Sequence, residues 1–271
     1  MNRRTFVKTT ALASLATGWA ACNSQPPDST QESTHILSFS FDDGFKQSFL
    51  QIADIFESVD LRACFNVIAS AHMPTFEAAD AYILPELMGE WDTWNDLVRR
   101  GHEVMPHGWR HAWLNKLPVE KATDLIGKSI DYFVENLNGF DASKAVFNFP
   151  FNASTPELEA FTLSKIGALR TRGDALNPFP QSGMNRLTCE SFGPDNIDQW
   201  VEEKVQAFLQ STGGWLILNT HGVDGEGWGP MSSEYLTRLL GRLVNIPSLE
   251  VLPVAKALFS QEFVSDSSNA H

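Results

Sequence analysis

Asp42 and Asp43 close the run Ser38-Phe39-Ser40-Phe41-Asp42-Asp43-Gly44, in which an alternating apolar pattern stops at two adjacent carboxylates and a glycine. Neighbouring acids repel each other, and a strand leading into them presents both at its C-terminal mouth. A compensating positive charge is therefore expected there, with a bound metal cation the first candidate. Possible ligands follow in His102-Glu103-Val104-Met105-Pro106-His107-Gly108-Trp109-Arg110-His111, where His107 and His111 are four residues apart. On a helical turn that spacing stacks two imidazoles on one face. One carboxylate and two histidines make a three-ligand site with positions left open for water and substrate, as in catalytic zinc centres. His221 ends the apolar run Trp215-Leu216-Ile217-Leu218-Asn219-Thr220. Singly, each signal has a plainer reading: Asp-Asp-Gly is a common turn, and a histidine after a strand is more often a hydrogen-bonded loop residue. Their joint placement at successive strand ends is far more specific.

The elements that must position these groups alternate along the chain. Strands are expected at Ile36–Phe41, Ala63–Ala69, Glu103–Met105, Ala145–Phe149, Ile166–Leu169, Trp215–Asn219 and Leu249–Leu252. Helical patterns fall between them, at Lys46–Ser58, Glu90–Arg100, Val119–Leu137, Pro156–Lys165, Ile197–Ser211 and Ser232–Leu243. Such alternation predicts an α/β fold with a parallel sheet. Of the other histidines, His102 is expected to face away from His107, and His35, His72 and His271 read as surface or capping residues.

At Ser40-Phe41-Asp42-Asp43-Gly44 and His107-Gly108-Trp109-Arg110-His111 the chain resembles the polysaccharide deacetylases of carbohydrate esterase family 4, whose catalytic unit is the NodB homology domain. The resemblance runs from about Ile36 to about Phe259. A third family motif, Arg-x-Pro-aromatic, corresponds to Asn148-Phe149-Pro150-Phe151, with Asn in place of Arg. A late Leu-x-His motif corresponds to Asn219-Thr220-His221, with the Leu displaced. The resemblance implies a distorted, incomplete (β/α) barrel. It also implies Asp42 as general base, Asp43, His107 and His111 as ligands of a divalent metal, and His221 as the acid that protonates the leaving group. The oxyanion would be met by the metal and by the backbone N–H of Phe151, directly after Pro150. Zinc is the first choice of ion, with cobalt, nickel and manganese also compatible. In relatives the motif-three Arg pairs with the base, so Arg170 or Arg172 must compensate for Asn148. Arg170 is preferred because it ends an apolar run. Asp174 and Asp224 are the candidate carboxylates for His221. Trp228, amid glycines after His221, and Trp109, beside the histidine pair with Trp113, are candidate sugar-binding surfaces.

Length and composition suit one enzymatic domain: 271 residues, 43% hydrophobic. The net charge is −13, and residues 1–21, carrying Arg3, Arg4 and Lys8 but no acid, leave −16 on the remainder. That surface repels nucleic acid and anionic membranes, and globally favours a neutral or cationic glycan over a highly anionic one. Arg3-Arg4-Thr5-Phe6-Val7-Lys8 reads as a twin-arginine export signal, and Trp19-Ala20-Ala21-Cys22 as a lipobox with Cys22 as the lipidated residue. Ordinary cleavage leaving Cys22 unmodified is the alternative. Residues 1–22 are thus an export signal, 23–34 a flexible tether, 35–262 the catalytic domain and 263–271 a tail. Contact with the membrane is expected only through the lipid anchor, with the enzyme facing the periplasm or cell exterior. Cys64 and Cys189 are expected to be free thiols, and the oligomeric state is left open.

Three function classes follow. The first is a metal-dependent hydrolase that removes N- or O-linked acetyl groups from an acetylated carbohydrate. The second is a non-catalytic glycan-binding lipoprotein on the same fold, suggested by the missing motif-three Arg. The third is a non-haem iron oxygenase, since two histidines and a carboxylate also suit Fe(II).

Overall fold

Every residue of β1 (His35–Phe41) is buried, as befits a parallel strand covered on both faces. The computed structural model describes residues 34–260 except 78 and 79. The export signal, lipobox, Cys22, residues 23–33 of the tether, the last two residues of the expected catalytic domain (261 and 262) and the 263–271 tail lie outside the described residues.

After β1 come α1 (Lys46–Glu57), β2 (Cys64–Val67), α2 (Trp91–Arg99), β3 (Glu103–Pro106) and α3 (Val119–Asn136). They are followed by β4 (Val146–Asn148), α4 (Pro156–Leu163), β5 (Ala168–Arg172), β6 (Leu176–Asn177) and β7 (Arg186–Cys189). The chain continues with α5 (Asp198–Leu209), β8 (Gly214–Thr220), α6 (Ser233–Leu243), β9 (Leu249–Val251) and α7 (Val254–Phe259). Strands β3, β2, β1 and β8 lie side by side and parallel, with β6 antiparallel beyond β8. β9 pairs with His35–Leu37 of β1, and β2 with Ser40 and Phe41. Strands β4, β5 and β7 form a second parallel sheet, which a single bridge between Glu190 and Leu218 ties to β8. Among the described residues no ladder joins β3 to β4, so the curl is the expected distorted barrel and stays open there.

Alternation along the strands sorts side chains between two cores. Leu37, Phe39 and Phe41 of β1, with Leu216 and Leu218 of β8, pack with α1, α2, α5 and α6. Helix α1 meets them with Phe49, Ile52, Ala53 and Phe56, the i, i+3, i+4, i+7 stripe its sequence carries. The opposite faces of β1 and β8 contribute Ile36, Trp215 and Ile217, which pack with Val146, Phe147, Leu169 and residues of α3 and α7. Along that second face of β1 the side chains change from Ile36 through Ser38 and Ser40 to Asp42, so polarity rises towards the C-terminal end.

Two expectations about the fold are corrected. His107 to His111 form no helix: Gly108 (φ 79) and His111 (φ 51) turn the chain, and Ala69 N–H and Ser70 N–H hold the turn by donating to the carbonyls of Gly108 and Trp109. His35 is not a surface residue but opens β1, buried edge-on to Phe208 at 4.8 Å. The sequence reading also passed over β6, β7 and α7, because each is short and β7 (Arg-Leu-Thr-Cys) carries a weak apolar pattern. Cys64 and Cys189 are both buried free thiols.

Candidate active site

The polar end of the barrel interior is built by period-two alternation. Asp42 follows Ser40 on β1, Asn66 follows Cys64 on β2, Asn219 follows Ile217 on β8, and each lies on the inward face of its strand. The backbone then turns at Asp43 (φ 85) and Gly44 (φ 107), which ends the strand and redirects the second carboxylate. Among the described residues, four of the six non-glycine residues with positive φ, namely Asp43, His111, Phe151 and Asn152, line one cleft. Left-handed backbone is uncommon for such residues, and its concentration here marks a site whose geometry the surrounding fold enforces.

Asp42 is held on all sides. Arg170 Nη2 donates to its Oδ2 at 2.6 Å, Arg170 Nη1 to Oδ1 at 3.1 Å, and Asn66 Nδ2 to Oδ1 at 2.7 Å. Ser40 Oγ accepts from both Arg170 Nη1 (2.7 Å) and Asn66 Nδ2 (2.8 Å). Burial alone would raise the pKa of Asp42, but the Arg170 guanidinium, helped by His107, holds it below its ordinary 3.8. Burial likewise opposes the charge on Arg170, and Asp42 more than restores it. The structure thus places Arg170, not Arg172, on Asp42. Asn148 does different work at the open seam between β3 and β4. Its carbonyl accepts from His107 Nδ1 at 2.9 Å and its Nδ2 donates to Asn66 Oδ1 at 2.7 Å, so side chains bridge the strands where the ladder is missing.

His107 and His111 come together with ring centroids 5.0 Å apart. His111 Nε2 and His107 Nε2 lie 3.4 and 3.5 Å from Asp43 Oδ1, which is buried without a hydrogen-bond partner among the described residues. These separations are long for hydrogen bonds. They match the roughly 3.3 Å expected between donors that each bind an ion at about 2.0–2.1 Å in tetrahedral geometry. Asp43, His107 and His111 therefore fit a divalent metal. His107 is oriented through Nδ1 by Asn148, and His111 through Nδ1 by Asp80, whose Oδ2 lies 3.2 Å away. The sequence reading missed Asp80, because nothing in Glu77-Ala78-Ala79-Asp80 marks it. Removing a carboxylate that orients a ligating histidine costs about 10–100-fold in metal affinity. Asp80→Asn is accordingly expected to weaken zinc binding by that factor in a competition titration against a chelator; an unchanged affinity would deny Asp80 this role.

The cleft has a volume of about 290 Å³ and is lined by Asp42, Asp43, His107, His111, His221 and a rim of aromatic and polar side chains. Phe151 sits in a turn at Pro150–Asn152 with φ 58, its ring 4.3 Å from that of His111 and stacked on Trp113 at 3.9 Å. Trp228 also lines the cleft, edge-on to His221 at 5.6 Å. A Cβ on Gly193 would come within 2.7 Å of the Trp228 ring, so only glycine lets the backbone pack against that indole. Trp109 does not line this cleft. It packs between the two cores and edge-on to Tyr132 at 5.3 Å, with Lys128 over its ring, and Trp113 takes the place expected for it. Neither candidate partner bonds His221: Asp224 accepts from Ser233 N–H and Gln51, while Asp174 offers its backbone carbonyl to Thr188. His221 Nδ1 has no hydrogen-bond partner among the described residues. Burial lowers the His221 pKa, although Asp43 and Asp42 pull it upward. His102 faces away as expected, its Nδ1 accepting from Ala63 N–H and its Nε2 lying 2.9 Å from Glu57.

A polysaccharide deacetylase family model matches residues 29–162, a span that contains Asp42, Asp43, His107, His111 and Asn148 but ends before Arg170 and His221. No curated protein sequence matches the chain. Solved structures share the fold. The peptidoglycan deacetylase PdaC from Bacillus subtilis is 16% identical, with a TM-score of 0.51 over 83% of this chain and 90% of that one. A family 4 carbohydrate esterase from Streptomyces lividans, in complex with acetate, is 13% identical, with a TM-score of 0.52 over 82% and 92%. BA3943, a CE4 family pseudoenzyme from Bacillus anthracis, is 14% identical, with a TM-score of 0.54 over 83% and 65%.

Proposed function

We propose that this chain, whose residues 29–162 match the polysaccharide deacetylase family model, is a metal-dependent hydrolase that removes acetyl groups from a carbohydrate. One observation carries the reading: Asp43, His107 and His111 converge as a three-ligand set beside a second carboxylate, Asp42, that a buried guanidinium keeps ionised. Asp43, His107 and His111 would hold a divalent ion, which would supply Lewis acidity toward the acyl carbonyl and lower the pKa of water towards neutrality. Asp42, fixed by Arg170 and Asn66, takes the proton from the attacking water. Phe151, in a left-handed turn on the cleft lining, would offer its backbone N–H to the developing oxyanion. His221, at the mouth of β8, gives a proton to the departing nitrogen or oxygen of the sugar, and acetate leaves.

The alternative of a non-catalytic glycan-binding protein drew its support from Asn148 standing where relatives carry Arg. Arg170 supplies a guanidinium to Asp42 from another strand, which favours the catalytic reading. Fold alone does not decide the matter, since BA3943 is a pseudoenzyme with the same architecture. The proposal extends to place: Arg3, Arg4 and Cys22 support an enzyme exported by the twin-arginine route and tethered by lipid outside the cytoplasm.

The test is acetate release from N-acetylated chitin oligosaccharides and O-acetylated xylan, before and after chelation and with zinc, cobalt, nickel or manganese restored. Release from one substrate class that is lost on chelation and regained with metal is expected. Release indifferent to chelation, or none from any acetylated glycan, rejects the proposal.

A further inference from the structure

We propose that the cleft takes a glycan that carries carboxylates, and that Arg172 is the side chain that reads them. The inference rests on the cleft being a glycan-deacetylating site.

Arg170 and Arg172 are two residues apart on β5, so they project to the same face. Arg170 is fully buried on Asp42, whereas Arg172 is exposed and lines the cleft that holds Asp42, Asp43 and the three histidines. Among the described residues Arg172 is the only lysine or arginine on that lining. Every other described arginine except Arg110 has a carboxylate within 4.0 Å. Arg110 lies at a separate hollow beside Lys128. In a chain with 33 acidic and 20 basic residues, acids to neutralise a guanidinium are plentiful. None of them forms an ion pair with Arg172 among the described residues.

Charge balance points the same way. Three carboxylates at the cleft, Asp42, Asp43 and Asp80, face Arg170, Arg172 and the divalent ion the ligands would hold, which leaves the pocket formally positive. The acidic surface as a whole argues otherwise, but its field is screened beyond about 8 Å at physiological salt, so the nearest guanidinium decides what a bound sugar meets. Arg presents a planar fork that matches a carboxylate with two parallel hydrogen bonds. Ser191 and Asn152 stand on the same lining as neutral partners for sugar hydroxyls. A sugar carboxylate has two chemical sources: a hexuronic acid ring, or a lactyl ether on an amino sugar.

Calorimetry on the full-length, metal-loaded protein separates the possibilities without turnover. The probes are tetragalacturonic acid, a de-N-acetylated muramic-acid-containing glycan oligomer and neutral cellotetraose, all free of N- and O-acetyl groups. At least one carboxylated probe is expected to bind about tenfold to a hundredfold more tightly than the neutral one, and the tighter of the two names the source. Arg172→Gln is expected to collapse that preference, Arg172→Lys to retain part of it, and added salt to weaken it in the wild type. Equal binding of acidic and neutral probes by the wild type, or a preference that survives in Arg172→Gln, overturns the inference. A carboxylate preference lost in Arg172→Gln, in a protein that releases acetate from no substrate, upholds the recognition role and rejects the deacetylase reading instead.

Discussion

Asp42→Asn is expected to lower acetate release by about 10²–10⁴-fold, the range for losing a positioned general base, while zinc stoichiometry stays that of the wild type. The set that fits a metal is Asp43, His107 and His111, so the substitution leaves it intact and removes only the proposed proton acceptor. Asn66 Nδ2 can still donate to Oδ1 of the new amide, but its NH₂ group meets Arg170 Nη2 donor to donor where 2.6 Å now separates an ion pair. Some loss of stability accompanies the loss of rate. Pairing Asp42→Asn with Arg170→Met removes the stranded guanidinium, and the double variant should regain stability without regaining activity. Activity within a few-fold of the wild type in Asp42→Asn would remove Asp42 from the mechanism.

Arg170→Met is expected to destabilise the fold by about 3–5 kcal/mol, the cost of stranding one partner of a buried ion pair. The Asp42 and Arg170 side chains are 3% and 0% exposed, so no solvent is at hand to take over the lost contact. The pH dependence has a definite sign. In the wild type Asp42 is held below its ordinary 3.8. The pair's stabilisation is therefore fully present above that value and is lost as pH falls through the depressed folded pKa. In Arg170→Met burial acts with less opposition and raises the Asp42 pKa. The variant then loses most relative to wild type at neutral pH and less in acid, and the acid limb of its activity profile moves to higher pH. Chemical denaturation at several pH values and the pH profile of kcat/KM read the two effects. A stability cost below about 1 kcal/mol, the scale of an exposed pair, together with an unmoved acid limb would show that Arg170 does not set the state of Asp42. The double-mutant cycle with Asp42→Asn then measures the coupling directly.

Most of the architecture could be read from the chain because it is written in local periodicity. Strand β1 announces itself by alternation, and α1 by the stripe Phe49, Ile52, Ala53, Phe56. The two carboxylates, the histidine pair and His221 stand out because each ends or follows such a pattern, and the substitution at Asn148 was visible as a departure from it. Short elements without a strong pattern, β6, β7 and α7, escaped for the same reason.

Contacts across the barrel are another matter. Arg170 meets Asp42 across 128 positions of chain, and Asp80 reaches His111 from a stretch with no periodicity at all. The helical reading of His107 and His111 failed because four-residue spacing serves a turn through Gly108 equally well. Trp109 and Trp113 are indistinguishable as letters, yet one packs between the cores and the other stacks on Phe151 over the cleft. Periodicity along a chain encodes which face a side chain takes, and hence which residues the carboxylate end of the barrel can draw on. Which of them touch depends on how the two sheets curl and where the seam stays open, a sum of packing over residues far apart in sequence.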